Sequence, residues 1–470
     1  MEVMLDRFVF RRDGGAKPSF PENETTAGAD TCIGVPFRVS IDLAAPPAIS
    51  RFYLEWPRGP KPEAGPRCHL VAAHRGCILF RLTSLVRSKT FPQHLLYPDD
   101  YFLYRPAAAA DCPPSSSQPS LTRLPTWIRP KPEADPVKQE EKEAADPVPG
   151  EEKEAENKSE SDSDDSDMAA DMVPTKEMEW AERLIRKKHE EEMALGVDVD
   201  QGVIVRSSLL VENVGLLCEG DDFVVAELQL AKCIHRVSAE LSLFRSNVAV
   251  VPFGSSCLCW VDYRRGMILL GDVMEQSPNK LSYVPFPPVP PTGREPMHRG
   301  VCATDAGSTL KFVDVVVANK EQRRPCDDNT FTIFTYTLKT MAEGGRMRWE
   351  KDTVAPMTAE ELWGLEAPLP IPHEVPLFPI VSMEKPQVLH FLLSECTDYI
   401  DTVTLVTVDM DTRTVMSVRP YIKGEQELLH GEDADLAEAR TSLLQPFLPA
   451  HFSNSLDLNT RYYMCVVYSC

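Results

Sequence analysis

Alternation of apolar and polar positions, rather than helical periodicity, runs through this chain. Residues 37–43 and 226–230 alternate strictly, the signature of strands with one face on a core and one in water. Residues 257–263 and 266–273 are apolar at nearly every position, which predicts strands buried on both faces. Residues 330–338 are rich in β-branched and aromatic side chains, again a strand composition. Two further runs, 403–410 and 412–418, flank Asp411 as the arms of a hairpin. About 16 to 20 such segments of the usual ~5–6 residues, with turn signals between them, account for most of the chain. Residues 73–79 echo 263–269: in each a strand meets an Arg-Gly pair, Arg75-Gly76 or Arg265-Gly266, before an apolar strand. Glycine there is expected to supply the positive φ of a tight turn. Recurrent hairpins of this kind predict radially repeated sheets, a mainly antiparallel β-propeller-like fold, with a pair of sandwiches as the other arrangement.

Few helices are expected. Thr358 followed by Glu361 is a capping box, placing a short helix at 358–365; a second is expected near 433–444. A third falls at 176–195, where Met178, Ala181, Leu184 and Ile185 share a face and Gly196 ends the run. Ahead of it, residues 131–171 carry 16 acidic and 5 basic side chains and no Ile, Leu, Phe, Tyr or Trp. Such a tract has too little apolar surface to offset the entropy of ordering, which predicts a long disordered acidic insertion. The chain then divides into a β-rich part at 1–130, an acidic linker with its short helix at 131–200, and a β-rich part at 201–470.

Composition narrows the classes of function. The 470 residues are 43% hydrophobic, with a formal net charge of −22, so an extended grip on nucleic-acid phosphates or an anionic membrane is not expected. The first residues, interrupted by Glu2 and Asp6, do not read as a secretory signal, and no apolar run has the ~18–20 residues of a membrane span. Thirteen cysteines at irregular spacing read as reduced thiols of a cytoplasmic or nuclear protein.

Catalytic spacings are missing: there is no G-x-x-x-x-G-K-[ST], G-x-G-x-x-G, H-E-x-x-H or G-x-S-x-G. Cys257 and Cys259 share one strand face, as two metal ligands would, but have no second pair at finger-like spacing; core packing is the expectation. His390, inside an apolar run, reads as a core histidine rather than a base. Asp262, beside Arg264 and Arg265, reads as a turn cap rather than an acid. The prolines of 285–291 form overlapping P-x-x-P spacings, read as a rigid connector or a polyproline ligand. Ser159 and Ser161 each have an acidic residue three positions on, the preference of acidophilic kinases; they are the candidate phosphate acceptors, and an unmodified acidic tract is the alternative. No catalytic residue, cofactor or metal is expected.

At Cys259-Trp260-Val261-Asp262-Tyr263-Arg264-Arg265-Gly266-Met267-Ile268-Leu269 the sequence resembles the domain-of-unknown-function 1618 family, large in grasses. Tyr283-Val284-Pro285-Phe286-Pro287, Arg299-Gly300-Val301-Cys302-Ala303-Thr304-Asp305, Leu310-Lys311-Phe312-Val313-Asp314, Glu361-Leu362-Trp363 and Phe378-Pro379-Ile380-Val381-Ser382-Met383 continue the likeness, so the module spans about 257–395. The resemblance implies a plant intracellular protein with a propeller-like fold akin to domains that accompany F-boxes. It assigns no activity and no functional residue. The chain departs from that pattern in a short connection between 240–244 and 248–252, which either leaves one sheet short or reflects an imperfect gene model. The expected role is a non-catalytic module that binds a protein partner. The alternatives are a hydrolase in a propeller's central pocket, or a ubiquitin-ligase adaptor without its own F-box, for which residues 1–35 offer no helical segment.

Overall fold

The computed structural model describes residues 1–14, 19–60, 68–87, 95–107, 118–125, 211–219, 222–230, 249–274, 280–287, 295–305, 307–317, 330–340, 347–397, 400–422, 446–451 and 462–469. The acidic tract with Ser159 and Ser161, the helices expected at 176–195 and 433–444, and the short connection at 244–248 lie outside the described residues.

Within the described residues the chain forms 27 strands. The first blade contains β1 (Glu2–Arg11), β2 (Ala27–Asp30), β3 (Pro36–Asp42) and β4 (Ile49–Glu55). The second contains β5 (Cys68–His74), β6 (Cys77–Thr83), β9 (Asp99–Arg105) and β10 (Ser120–Arg123), with a small ribbon, β7 (Val86–Arg87) and β8 (Leu95–Leu96), between β6 and β9. β11 (Val214–Glu219) and β12 (Asp222–Leu230) follow. The third blade is β13 (Ala249–Phe253), β14 (Cys257–Asp262), β15 (Gly266–Gly271) and β16 (Lys280–Pro285). The fourth is β17 (Arg299–Thr304), β18 (Thr309–Val317), β19 (Phe331–Thr340) and β20 (Met347–Lys351), with β21 (Met357–Thr358) also on β19. The fifth is β22 (Leu377–Val381), β23 (Val388–Thr397), β24 (Ile400–Asp409) and β25 (Thr414–Ile422). The last two strands return to the front of the chain: β26 (Phe447–His451) pairs with β1, and β27 (Tyr462–Ser469) pairs with β12. β11, β12 and β27 thus make a three-stranded wedge between the second and third blades.

Pairing is antiparallel throughout except β1 with β4 and β12 with β27. Five apolar cores lie between successive sheets and close them into a ring. One joins the first and second blades through Phe37, Phe52, Phe80 and Phe102. The next joins the second blade to the wedge through Val71, Leu79, Leu216 and Val225. Leu217, Val224, Trp260 and Ile268 join the wedge to the third blade; Val261, Met267, Phe312 and Trp349 join the third to the fourth. The largest core unites the fourth and fifth blades with Met4, Phe10 and Tyr53 of the first.

The strands expected to be buried on both faces are so. In β14, Cys259 and Val261 face the fourth blade, whereas Leu258 and Trp260 face the wedge. The hairpin around Asp411 forms, its turn tied by Asp409, whose Oδ1 accepts from the Asp411 and Thr412 amides at 2.9 and 3.0 Å. The short helix is α1 (Ala359–Trp363), and its capping box is complete: the Glu361 amide donates to Thr358 Oγ1 at 3.2 Å and the Thr358 amide to Glu361 Oε2 at 2.8 Å.

Two expectations are corrected. The strand count exceeds 16 to 20 because short edge strands such as β2 and β10 are too polar to announce themselves, and because β1 hides behind Glu2 and Asp6. The Arg-Gly echo also has two geometries. Arg75 and Gly76 both take positive φ, at 47° and 81°, the twist a two-residue hairpin turn needs. Gly266 does not: it pairs with Asp262 across a three-residue turn. Glycine is needed there because a Cβ would lie 2.4 Å from the Val284 carbonyl oxygen.

Candidate functional site

Buried polar side chains tie the sheets together at their boundaries, and the strongest of these ties involve residues that were not candidates in the sequence. At the boundary of the third and fourth blades, Arg299 stands directly opposite Asp314 in the β17–β18 register. Its Nε and Nη2 donate to Asp314 Oδ1 and Oδ2 at 2.8 and 3.0 Å, and both side chains are fully buried. The remaining arm, Nη1, donates to the Tyr263 carbonyl at 2.6 Å, and the guanidinium lies 5.7 Å from the Phe312 ring centre. The Val301 amide donates to the Tyr263 hydroxyl at 3.4 Å. Burial pushes that phenol up, away from ionisation. A two-toothed ion pair with its spare donor satisfied is the geometry in which a buried charge is tolerated.

Each other boundary has its own polar tie. Arg7 Nη1 of the first blade donates to the Leu70 and Val71 carbonyls of the second, both at 3.4 Å. The Cys218 amide of the wedge donates to His74 Nδ1 of the second blade at 2.8 Å; burial and the neighbouring Arg75 hold that imidazole neutral, at about 3. Trp260 Nε1 of the third blade donates to the Asn213 carbonyl at 2.7 Å. Between the fourth and fifth blades the Val381 amide donates to Cys302 Sγ at 3.3 Å, and His298 Nδ1 donates to the Pro376 carbonyl at 3.0 Å. Gly300 makes the same boundary close, since a Cβ there would sit 1.9 Å from the Pro379 carbonyl oxygen.

The ring closes on Glu2. Its carboxylate accepts from Ser382 Oγ and the Met383 amide, both at 2.7 Å, and its own amide donates to Glu384 Oε1 at 3.0 Å. Asp6, at a bulge in the β1–β4 pairing, accepts from the Phe8 amide and the Tyr421 hydroxyl, both at 3.0 Å. Burial raises its carboxyl to about 7, against the opposing pull of the Phe8 amide, the Tyr421 hydroxyl and the Arg51 charge.

The remaining sequence candidates fall apart from one another. Cys259 is fully buried in the core between the third and fourth blades, and Cys257 is half-buried at the strand end, the packing role expected of them. His390 is buried opposite Thr407, whose Oγ1 is 2.9 Å from Nδ1. Its Nε2 has no hydrogen-bond partner, and burial lowers it to about 4. Asp262 is the expected turn cap: Oδ1 accepts from the Arg264 amide at 2.9 Å and Oδ2 from Arg265 Nη1 at 3.1 Å. Phe286 stacks on Phe312 with centroids 4.3 Å apart, anchoring the start of the proline run; residues 288–291 lie outside the described ones. A recess in the first two blades is lined by Ile33, Val35, Trp56, Arg58, Gly59, Pro60, Ser84 and Leu85, and holds no carboxylate, imidazole or thiol for acid–base work.

Sequence reading missed the Arg299–Asp314 pair and the Glu2 latch. Arg299 and Asp314 lie in the quoted family motifs, but nothing in the chain between them signals that they meet. With the geometry in place, comparison adds a family match over part of the chain and no activity. Residues 260–390 match the model of a family described as a protein of unknown function, DUF1618, which bears out the resemblance over that span. No curated protein and no solved structure matches the chain.

Proposed function

We propose that this protein is a non-catalytic interaction module of a plant cell, cytoplasmic or nuclear, whose rigid ring presents inter-strand segments to a protein partner. One observation carries the reading: the side chains best suited to chemistry are engaged in holding sheet to sheet. Arg299, Asp314 and Tyr263 clamp one boundary, His74 a second, His298 and Cys302 together a third, and Glu2 a fourth. Catalysis uses a nucleophile or base beside a group that tunes it, open to substrate. A scaffold with variable connections is a common recognition platform. The fold class alone assigns no function.

The test is capture of partners from plant extract with wild type and with variants substituted at 320–329, between β18 and β19, or at 343–348, which runs from the β19–β20 connection into the start of β20. Loss of a specific partner at unchanged melting temperature supports the reading. A turnover reaction abolished by substituting Asp262 or His390 in a folded protein would defeat it.

A further inference from the structure

The boundary between the second blade and the wedge holds two thiols in contact. Cys77 opens β6 immediately after the Arg75-Gly76 turn, and Cys218 is the second-last residue of β11. Neither is in a disulfide, and both are buried, at 2% and 3% exposure, within one core. Their side chains are within hydrogen-bonding reach of one another. The backbone behind Cys218 is fixed by its amide bond to His74 Nδ1.

What marks the pair is the contact itself: the Cys77 thiol and burial push the Cys218 thiol up, and the positive charges of Arg105 and Arg75 oppose that shift only in part. Among the cysteines whose side chains are described, no other has both a second thiol within hydrogen-bonding reach and cations beside it. The Cys32 thiol, though its residue is exposed, is pushed up to about 12 by desolvation first and then by the Asp100 carboxylate beside it. Cys257 and Cys259 are two residues apart on one strand, where the ~6.8 Å separation of Cα atoms is at the limit of what a disulfide spans.

We propose that Cys77 and Cys218 are a redox modification site, at which a hydroperoxide converts the thiol pair into a disulfide joining the second blade to the wedge. In the first step one sulfur, as thiolate, attacks a peroxide oxygen. The O–O bond breaks, the departing hydroxide takes up the thiol proton as water, and a sulfenic acid remains. The second sulfur then attacks the first, the S–S bond forms, the S–O bond breaks, and hydroxide leaves with the second thiol proton as another water. Two electrons pass from the thiols to the peroxide. The second step is intramolecular and therefore fast relative to capture by a free thiol. The bond would tie together the sheets on either side of the 126–210 connection, closing a long loop that contributes entropy to the unfolded chain.

The experiment treats the full-length reduced protein with hydrogen peroxide, alkylates remaining thiols in denaturant, and maps the peptides by mass spectrometry. The expected product is a Cys77–Cys218 cross-linked peptide, two hydrogens lighter than its parts and released by dithiothreitol. The melting temperature of the oxidised protein should rise by roughly 5 °C. Cys77→Ala should remove both the cross-link and the thermal response. Should that variant not fold, the wild-type map still decides. Recovery of both cysteines in alkylated form, their separate oxidation to sulfinic acids, or cross-links to other cysteines would overturn the assignment.

Discussion

Asp6 shows how one buried carboxyl makes the ring sensitive to pH. Its folded-state value near 7 lies above the ordinary 3.8 because burial disfavours the charge. The folded protein therefore holds this proton more tightly than the unfolded chain does. Its contribution to stability is full below pH 3.8 and is lost as pH rises toward 7, at about 1.4 kcal/mol per pH unit within that window. Asp6→Asn keeps the size of the side chain and an oxygen for the Phe8 amide, and cannot ionise. Denaturant unfolding at several pH values should show the variant more stable than wild type at pH 8, by a few kcal/mol, with the difference vanishing near pH 4. Equal stability of the two proteins at both pH values would mean that Asp6 is not the buried acid described.

Among elements, the boundary of β17 with β22 is the most tightly set, and glycine makes it so. Gly300→Ala would push a methyl group into the Pro379 carbonyl, 1.9 Å from the Cβ position. Backbone cannot rotate aside as a side chain can, so the two blades must part; a loss of about 3 kcal/mol is expected from overpacking of this kind, read as a lowered denaturation midpoint. The strands themselves were largely legible in the sequence. β14 and β15 declare their two buried faces through unbroken apolar runs, β3 through strict alternation, and α1 through its capping box. What joins them was not legible. The Arg299–Asp314 pair depends on a register that places position 299 opposite 314, and Gly266 looked like a turn glycine when its task is to let a neighbouring carbonyl approach. β1 was concealed because Glu2 and Asp6 read as interruptions, whereas the fold buries both against polar partners on the fifth blade.

For the whole molecule, the ring and the acidic tract should be separable. Residues 131–171 contain no Ile, Leu, Phe, Tyr or Trp, so their deletion should move the melting temperature by no more than about 2 °C, since shortening an already long connection changes closure entropy only slightly; a larger fall, seen by scanning calorimetry, would mean that the tract packs. Ring closure has a different reach along the chain. Leu5 pairs with Leu448 and Val3 with Ala450, so two neighbouring strands of one sheet are more than 400 residues apart in the sequence. A ribosome delivers β1 more than 400 residues before its partner β26, and contacts of such high sequence separation form slowly. Until β26 emerges, Val3 and Leu5 have no strand β26 beside them, and an unpaired apolar strand edge of that kind is prone to aggregation. A message cut short before Phe447 would make the condition permanent, leaving β1 as an open edge on which other unfinished chains can assemble.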